Sequence, residues 1–270
     1  MTRFLLAALA ALILFVPATS AHIRGTQFAP VYTPQTPRVP DAEVGSYDKI
    51  HNVAVLSGVG MTFELQSRGF FTPKNGTLDV AAWRLDERIE ATVRNYLRGR
   101  FTFVNIAADR AKLAALPATV QHQSQLENFL KTLPNQEVDA FILVRPDSQS
   151  GIQLQSVRHG DNILWARYEM DVIDAHSLKL IAKSTSRLQL REGARPNFPG
   201  LVLGKALEMD ETLALSPEKQ EKLHTLTLEL LNSTLAETIR SLRFGVALPP
   251  VGDPSIAPPV NATLLTTPTP

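Results

Sequence analysis

Val138-Asp139-Ala140-Phe141-Ile142-Leu143-Val144, closed by Arg145-Pro146-Asp147, is an almost unbroken apolar run that stops at a turn signal. Its length and composition predict a strand, and the lack of alternation places that strand inside a sheet with both faces covered. Two short helices are predicted on its N-terminal side, Asp109 to Leu116 and Val120 to Leu133, broken at Pro117 and ended by Pro134. On its C-terminal side Ser148-Gln149-Ser150-Gly151 is a polar loop and Ile152-Gln153-Leu154-Gln155 alternates as another strand.

Further back, His51-Asn52-Val53-Ala54-Val55-Leu56-Ser57 is a second buried-strand signal, followed by Gly58-Val59-Gly60 and an alternating Met61-Thr62-Phe63-Glu64-Leu65-Gln66. The glycine pair is no dinucleotide loop: a third Gly is missing, and the next residues alternate instead of opening a helix. Phe70 to Gly76 is predicted as a turn-rich loop in which Asn75-Gly76 favours positive φ. A helix is then expected to start near Thr77 or Asp79, with Ala82, Leu85, Ile89, Val93 and Tyr96 on one face and Gly99 as its stop, before a strand at Phe101-Thr102-Phe103-Val104. Arg84, Arg88, Arg94, Arg98 and Arg100 could grip an anion, but Asp86, Glu87 and Glu90 are interleaved with them, as on an ordinary charged helix surface.

A long hairpin is predicted between Ile163 and Leu190. Ala166, Tyr168, Met170 and Val172 alternate with Arg167, Glu169 and Asp171, and Leu178, Leu180 and Ala182 alternate beyond the turn at Asp174-Ala175-His176-Ser177. Matching apolar to apolar residues pairs Val172 with Leu178 and Met170 with Leu180, and sets Asp171 opposite Lys179. One face of this hairpin is expected to be core and the other wet. Arg191 to Leu215 reads as a loop carrying a short helix. Ser216-Pro217-Glu218 is a helix start, with a capping hydroxyl, Pro at the first helical position and an acid in the first turn. That helix, running to Ser241 or Arg243, has two apolar sides. Leu228, Leu231, Leu235, Ile239 and Leu242 form one, and Leu223, Leu226 and Leu230 form another that either the 201–215 segment covers or a partner protein or homodimer mate contacts.

These elements sum to an α/β (α+β) single domain with a mixed sheet, a long β-hairpin and a C-terminal helix, flanked by disordered ends. The domain is expected at residues 47–246. Residues 1–21 read as a cleaved signal peptide: Arg3, an apolar run from Phe4 to Val16, then Pro17-Ala18-Thr19-Ser20-Ala21. The other reading, a membrane anchor, falls short of the ~20 apolar residues a span needs. Residues 22–46 are a Pro-bearing flexible segment, and 247–270 a Pro/Thr-rich disordered tail. No other stretch is apolar enough to span, and the absence of Cys removes a lipoprotein anchor, disulfides and thiol chemistry together. The expected location is therefore periplasmic or secreted.

Composition excludes further classes. The chain carries 27 Lys plus Arg against 26 Asp plus Glu, and residues 1–21 contain only Arg3 among them, so the remainder is formally neutral and nucleic-acid binding is not expected. His22, His51, His122, His159, His176 and His224 show no paired metal-ligand spacing, and no metal or other cofactor is expected. A copper site on His22 would require it to be the mature N-terminus. No G-x-S-x-G or P-loop motif is present. Glu169 and Asp171, about 7 Å apart on one strand face by the two-residue repeat, with Asp174 and His176 at the tip, are the residues on which an exported hydrolase could be built; a solvated, salt-bridged face is the alternative.

At Val53-Ala54-Val55-Leu56, at Val138 to Val144, and at Tyr168-Glu169-Met170-Asp171-Val172-Ile173-Asp174-Ala175-His176-Ser177 the chain resembles periplasmic envelope domains of the CsgG and TolB N-terminal type, in which an Asp-Ala-hydrophobic strand precedes a hairpin with an Asp-Ala-x-[Ser/Thr] turn. The resemblance implies a non-catalytic periplasmic domain acting through protein contacts in the bacterial cell envelope. The lipid-bearing Cys of the group's lipoproteins is absent.

Overall fold

The computed structural model describes residues 47–61, 63–68, 73–118, 122–134, 137–147, 151–156, 162–186, 200–204, 207, 209 and 213–246. Residues 1–21, on which the signal-peptide expectation falls, the segments 22–46 and 247–270, His22 and the expected hairpin residues past 186 lie outside them.

The fold is α+β with two mixed five-stranded sheets. Strands β1 (Asn52–Ser57), β4 (Thr102–Phe103), β5 (Ala140–Pro146), β8 (Tyr168–Asp174) and β9 (Leu180–Thr185) form the first, in the order β4-β1-β5-β8-β9. Strands β2 (Phe63–Arg68), β3 (Pro73–Leu78), β6 (Ile152–Ser156), β7 (Asn162–Ala166) and β10 (Gly200–Gly204) form the second, in the order β10-β7-β6-β2-β3. Two sheets stand where one was expected because three long strands break at one level: β1 leads into β2 through a 3₁₀ turn at Val59–Met61, β5 into β6, and β7 into β8 across Arg167. Backbone bonds stitch the break, from Gly58 N to the Val144 carbonyl (3.0 Å) and from Arg167 N to the Gly151 carbonyl (2.7 Å).

Helix α1 (Leu85–Leu97) connects β1–β2–β3 to β4, while α2 (Arg110–Ala114) and α3 (Gln123–Lys131) connect β4 to β5. The apolar run that begins at Val138 is β5, third of five strands and buried along its whole length. Its alternate residues face two cores. Ala140, Ile142 and Val144 join Val53, Val55, Met170 and Val172 against α1 and helix α4 (Pro217–Ser241). Phe141 and Leu143 join Ala54, Leu56 and Ile173 against Leu113 of α2 and Leu126, Phe129 and Leu130 of α3.

Several local expectations are corrected. Asn75-Gly76 is not a turn: it lies in β3, paired with β2 at Gln66↔Asn75 and Leu65↔Gly76. The first helix begins at Leu85, after a 3₁₀ turn at Ala81–Trp83 and a left-handed Arg84 (φ 49°), so Ala82 is exposed. Within 191–215 the described element is strand β10, paired with β7. The α4 start is as expected, with Ser216 Oγ accepting from Lys219 N.

The break level is packed tightly around glycine. A Cβ on Gly60 would fall 2.5 Å from Leu85 Cβ and 3.0 Å from Asp86 N, whereas one on Gly99 would meet nothing within 4 Å. Gly60→Ala is expected to lower the unfolding free energy by about 1–3 kcal/mol, the usual range for overpacking, and Gly99→Ala to leave it unchanged or slightly raised. Urea unfolding of the two variants checks this, and equal effects would contradict it.

Candidate functional site: a crossed charge quartet on the central strands

The two acidic residues in the middle of the hairpin's first strand do not face water. Strand β8 lies between β5 and β9, and its Glu169 and Asp171 are buried. Strand alternation puts both on the face that carries Phe141 and Leu143 of β5, and Arg145 projects from that same face. In register, Arg145 stands opposite Glu169 and Lys183 of β9 opposite Asp171. The ion pairs run diagonally instead. Arg145 donates from Nε (3.1 Å) and Nη2 to Asp171 Oδ2, and Lys183 Nζ lies 3.3 and 3.5 Å from the two Glu169 oxygens. Arg145 also donates from Nη1 to the Leu116 carbonyl, tying the quartet to the segment after α2. Two cations and two carboxylates thus close a neutral box.

Charges buried this far are stable only when paired and hydrogen-bonded. The pairs differ in depth: Arg145 and Asp171 side chains are 5% and 3% exposed, Glu169 11% and Lys183 43%. Burial pushes the Glu169 carboxyl up to about 7, the charge of Asp171 adds to the rise, and Lys183 opposes it.

The other hydrolase candidates stand elsewhere. Asp174 ends β8, and its Oδ1 accepts from His176 N (3.1 Å), Ser177 N (2.6 Å) and Ser177 Oγ (2.8 Å). Burial would raise Asp174, but the bonds from Ser177 and His176 outweigh it and hold the carboxyl below its ordinary value. It is a turn-forming residue, and His176 is exposed. The four residues therefore form no single site: five residues of extended strand separate the Cα atoms of Glu169 and Asp174 by roughly 16 Å.

The expected register of the hairpin is also revised. Asp171 faces Lys183, Val172 faces Ala182 and Met170 faces Ser184, with a bulge between Val172 and Ile173. The Asp174 side chain organises a wider turn that ends at a left-handed Leu178 (φ 57°), which displaces Lys179 and Leu180 from the partners expected of them. The expectation of a wet face fails with it, since Glu169 and Asp171 are interior.

Leu223 and Leu230 are buried and Leu226 is half-buried against the main core, in which Leu207, Leu213 and Leu215 also lie. These three leucines therefore offer no free stripe for a partner. The basic residues of α1 are dispersed among acids: Arg84 pairs with Glu87 and Arg94 with Glu90, while Arg110 of α2 bonds Glu87 and Glu90. Asp86 is buried, accepting from Ser57 Oγ (2.6 Å) and Gly60 N (2.9 Å). His224 stacks on Trp83 at 4.8 Å. Among the described residues no group of His, Asp or Glu is placed to hold a metal ion, and no helix is long and apolar enough to cross a membrane.

No family model matches the chain, and no curated protein matches it. A solved structure of a hypothetical protein from Chlamydia trachomatis is similar over 68% of this chain and 98% of its own, at 10% identity and a TM-score of 0.26, a likeness too slight to carry fold or function.

Proposed function

We propose that this chain is an exported, non-catalytic binding or scaffold protein of the bacterial cell envelope, working through protein–protein contacts at a sheet edge. The observation that carries this reading is strand β9. It ends the first sheet, it pairs with β8 alone among the described residues, and it carries Leu180, one of two large hydrophobic residues that are exposed there, at 43%. A strand at the end of a sheet offers main-chain donors and acceptors to a partner segment, with side chains alongside to set specificity. The apolar-charged signature of the N-terminal 21 residues and the resemblance to CsgG and TolB N-terminal domains support the envelope setting. A photo-crosslinking residue at position 180 is expected to trap a discrete envelope protein in intact cells, whereas the same residue at exposed Ala91 of α1 is not. Adducts absent at 180, or identical at both positions, would overturn the reading.

One observation favours a second reading, a hydrolase narrowed to Glu169 and Asp171: a carboxyl held near 7 beside a second carboxylate is the arrangement general acid–base chemistry uses. Hydrolysis of a glycan or ester by the wild type that Glu169→Gln abolishes would support it.

A further inference from the structure

The two ends of the first sheet differ. Strand β4 is two residues long and presents almost no edge, whereas β9 presents six residues, with the exposed Leu180 among them. Sheet edges of that length are guarded by charge or covered by another segment. The one lysine within β9, Lys183, has its ammonium on Glu169, so its charge is drawn back across the sheet instead of standing over the edge. We propose that the C-terminal tail of the same molecule supplies the cover, residues 260–267 pairing with the outer edge of β9 as an added strand with their apolar side beside Leu180.

Reach and composition single out this segment. Helix α4 brings Ser241 against Ser184 of β9, and the described residues end at Val246, five residues further on, so the tail starts within roughly 18 Å of Ser241. Residues 247–270 hold seven prolines, and their longest Pro-free interval is 260–267. That interval has no charge and no Gly. Two-residue alternation places Val260, Ala262 and Leu264 on one face of a strand, and Thr263, Thr266 and Thr267 add β-branched residues. Pro259 and Pro268 would end such a strand at its two limits. The spacer 247–260 spans roughly 40 Å at the rise of a Pro-rich linker, enough for the roughly 18 Å back to α4 and the roughly 20 Å length of β9. Residues 22–29 are also free of proline, but they carry the charge of Arg24 and the strand-weakening Gly25. The cover needs no partner. Its use, to hold the proposed contact surface closed until a partner displaces the tail, rests on that reading of β9.

The Ser186 N–H donates to the Tyr168 carbonyl, so alternation along the antiparallel pair turns the amides of Ser184 and Ala182 towards β8 and that of Lys183 to the outer edge. The Lys183 amide therefore reports the cover. In the purified full chain it is expected to exchange roughly tenfold more slowly than in the full-length variant Leu264→Pro/Leu265→Pro, about the factor one net hydrogen bond is worth, while Ala182 and Ser184 change less. The two prolines are consecutive, so one of them removes a donor facing β9 in any register, and both lie outside the described fold. A photo-crosslinking residue at position 180, in a purified mixture of isotopically light and heavy chains, is expected to form adducts with 260–267 of its own chain. Adducts between chains, adducts on 22–29, no adduct at all, or equal exchange of Lys183 in the two proteins would overturn the cover. In intact cells the double-proline variant is expected to raise capture of an envelope protein at position 180 severalfold. A cover upheld in the purified chain, with no envelope adduct in cells from either protein, overturns only the contact-surface reading.

Discussion

Arg145→Leu is expected to destabilise the fold by about 3–5 kcal/mol, the penalty for stripping one partner from a buried ion pair. The side chains of Arg145 and Asp171 are almost fully enclosed, so neither water nor counterions can take over from the guanidinium. Lys183 cannot substitute either: its ammonium is on Glu169, on the far side of the box. Two neighbouring carboxylates would then share one cation, and the cheapest relief is protonation. The loss is therefore expected to be larger at pH 8 than at pH 5, as read by urea unfolding at both. Arg145→Lys should recover only part of it, because a point charge cannot reproduce two nitrogens on Asp171 and a third on the Leu116 carbonyl. The double variant Arg145→Leu/Asp171→Leu removes the charge with its partner and should cost much less than the single change. A single change costing under about 1 kcal/mol, or a double variant no better than the single, would show that the pair does not hold the central strands.

Legibility in the sequence divides along the range of the interactions. The β5 run announces a doubly covered strand because burial on both faces leaves no polar position. The α4 cap is local chemistry among Ser216, Pro217 and Glu218, and it reads correctly. The hairpin register does not, because its turn is set by one side chain: Asp174 accepts from His176 and Ser177 and a left-handed Leu178 completes the loop, conformations that apolar matching does not weigh. The wet-face reading of Arg167, Glu169 and Asp171 fails for a different reason. Their alternation is that of a half-buried strand, and the cation that permits burial of Asp171 lies 26 residues away in sequence. A signal is present in Arg145 itself, one charge at the end of an otherwise apolar central strand, opposite in sign to two carboxylates in the next hairpin. Likewise Leu201-Val202-Leu203 between Gly200 and Gly204 is a short apolar run bounded by glycines, a strand signal that the nearby prolines obscure.

Phe141→Ala is expected to be the costliest core substitution on the α2–α3 side, at about 3–5 kcal/mol. Phe141 is fully buried in the second core, packed with Leu113, Leu126, Phe129, Leu130 and Ile173. The two helices over it are 5 and 9 residues long, well below the length at which a helix holds its own shape in water. They persist because their apolar faces rest on the second core, to which β1, β5 and β8 contribute Ala54, Leu56, Phe141, Leu143 and Ile173, and Phe141 is its largest strand residue. Its truncation should therefore do more than open a cavity: amides of α3 are expected to lose protection relative to those of α4. Ile142→Ala makes the matched comparison, because Ile142 is equally buried one residue along and faces the α1–α4 core. It should cost about 2–5 kcal/mol while leaving the ratio of α3 to α4 protection at or above the wild-type value. Equal ratios in the two variants would mean that the cores unfold as one unit and that the alternation along β5 does not separate them. A selective loss in Phe141→Ala would instead make the α2–α3 layer a separately removable cover over the sheet face that holds Arg145, Asp171 and Glu169.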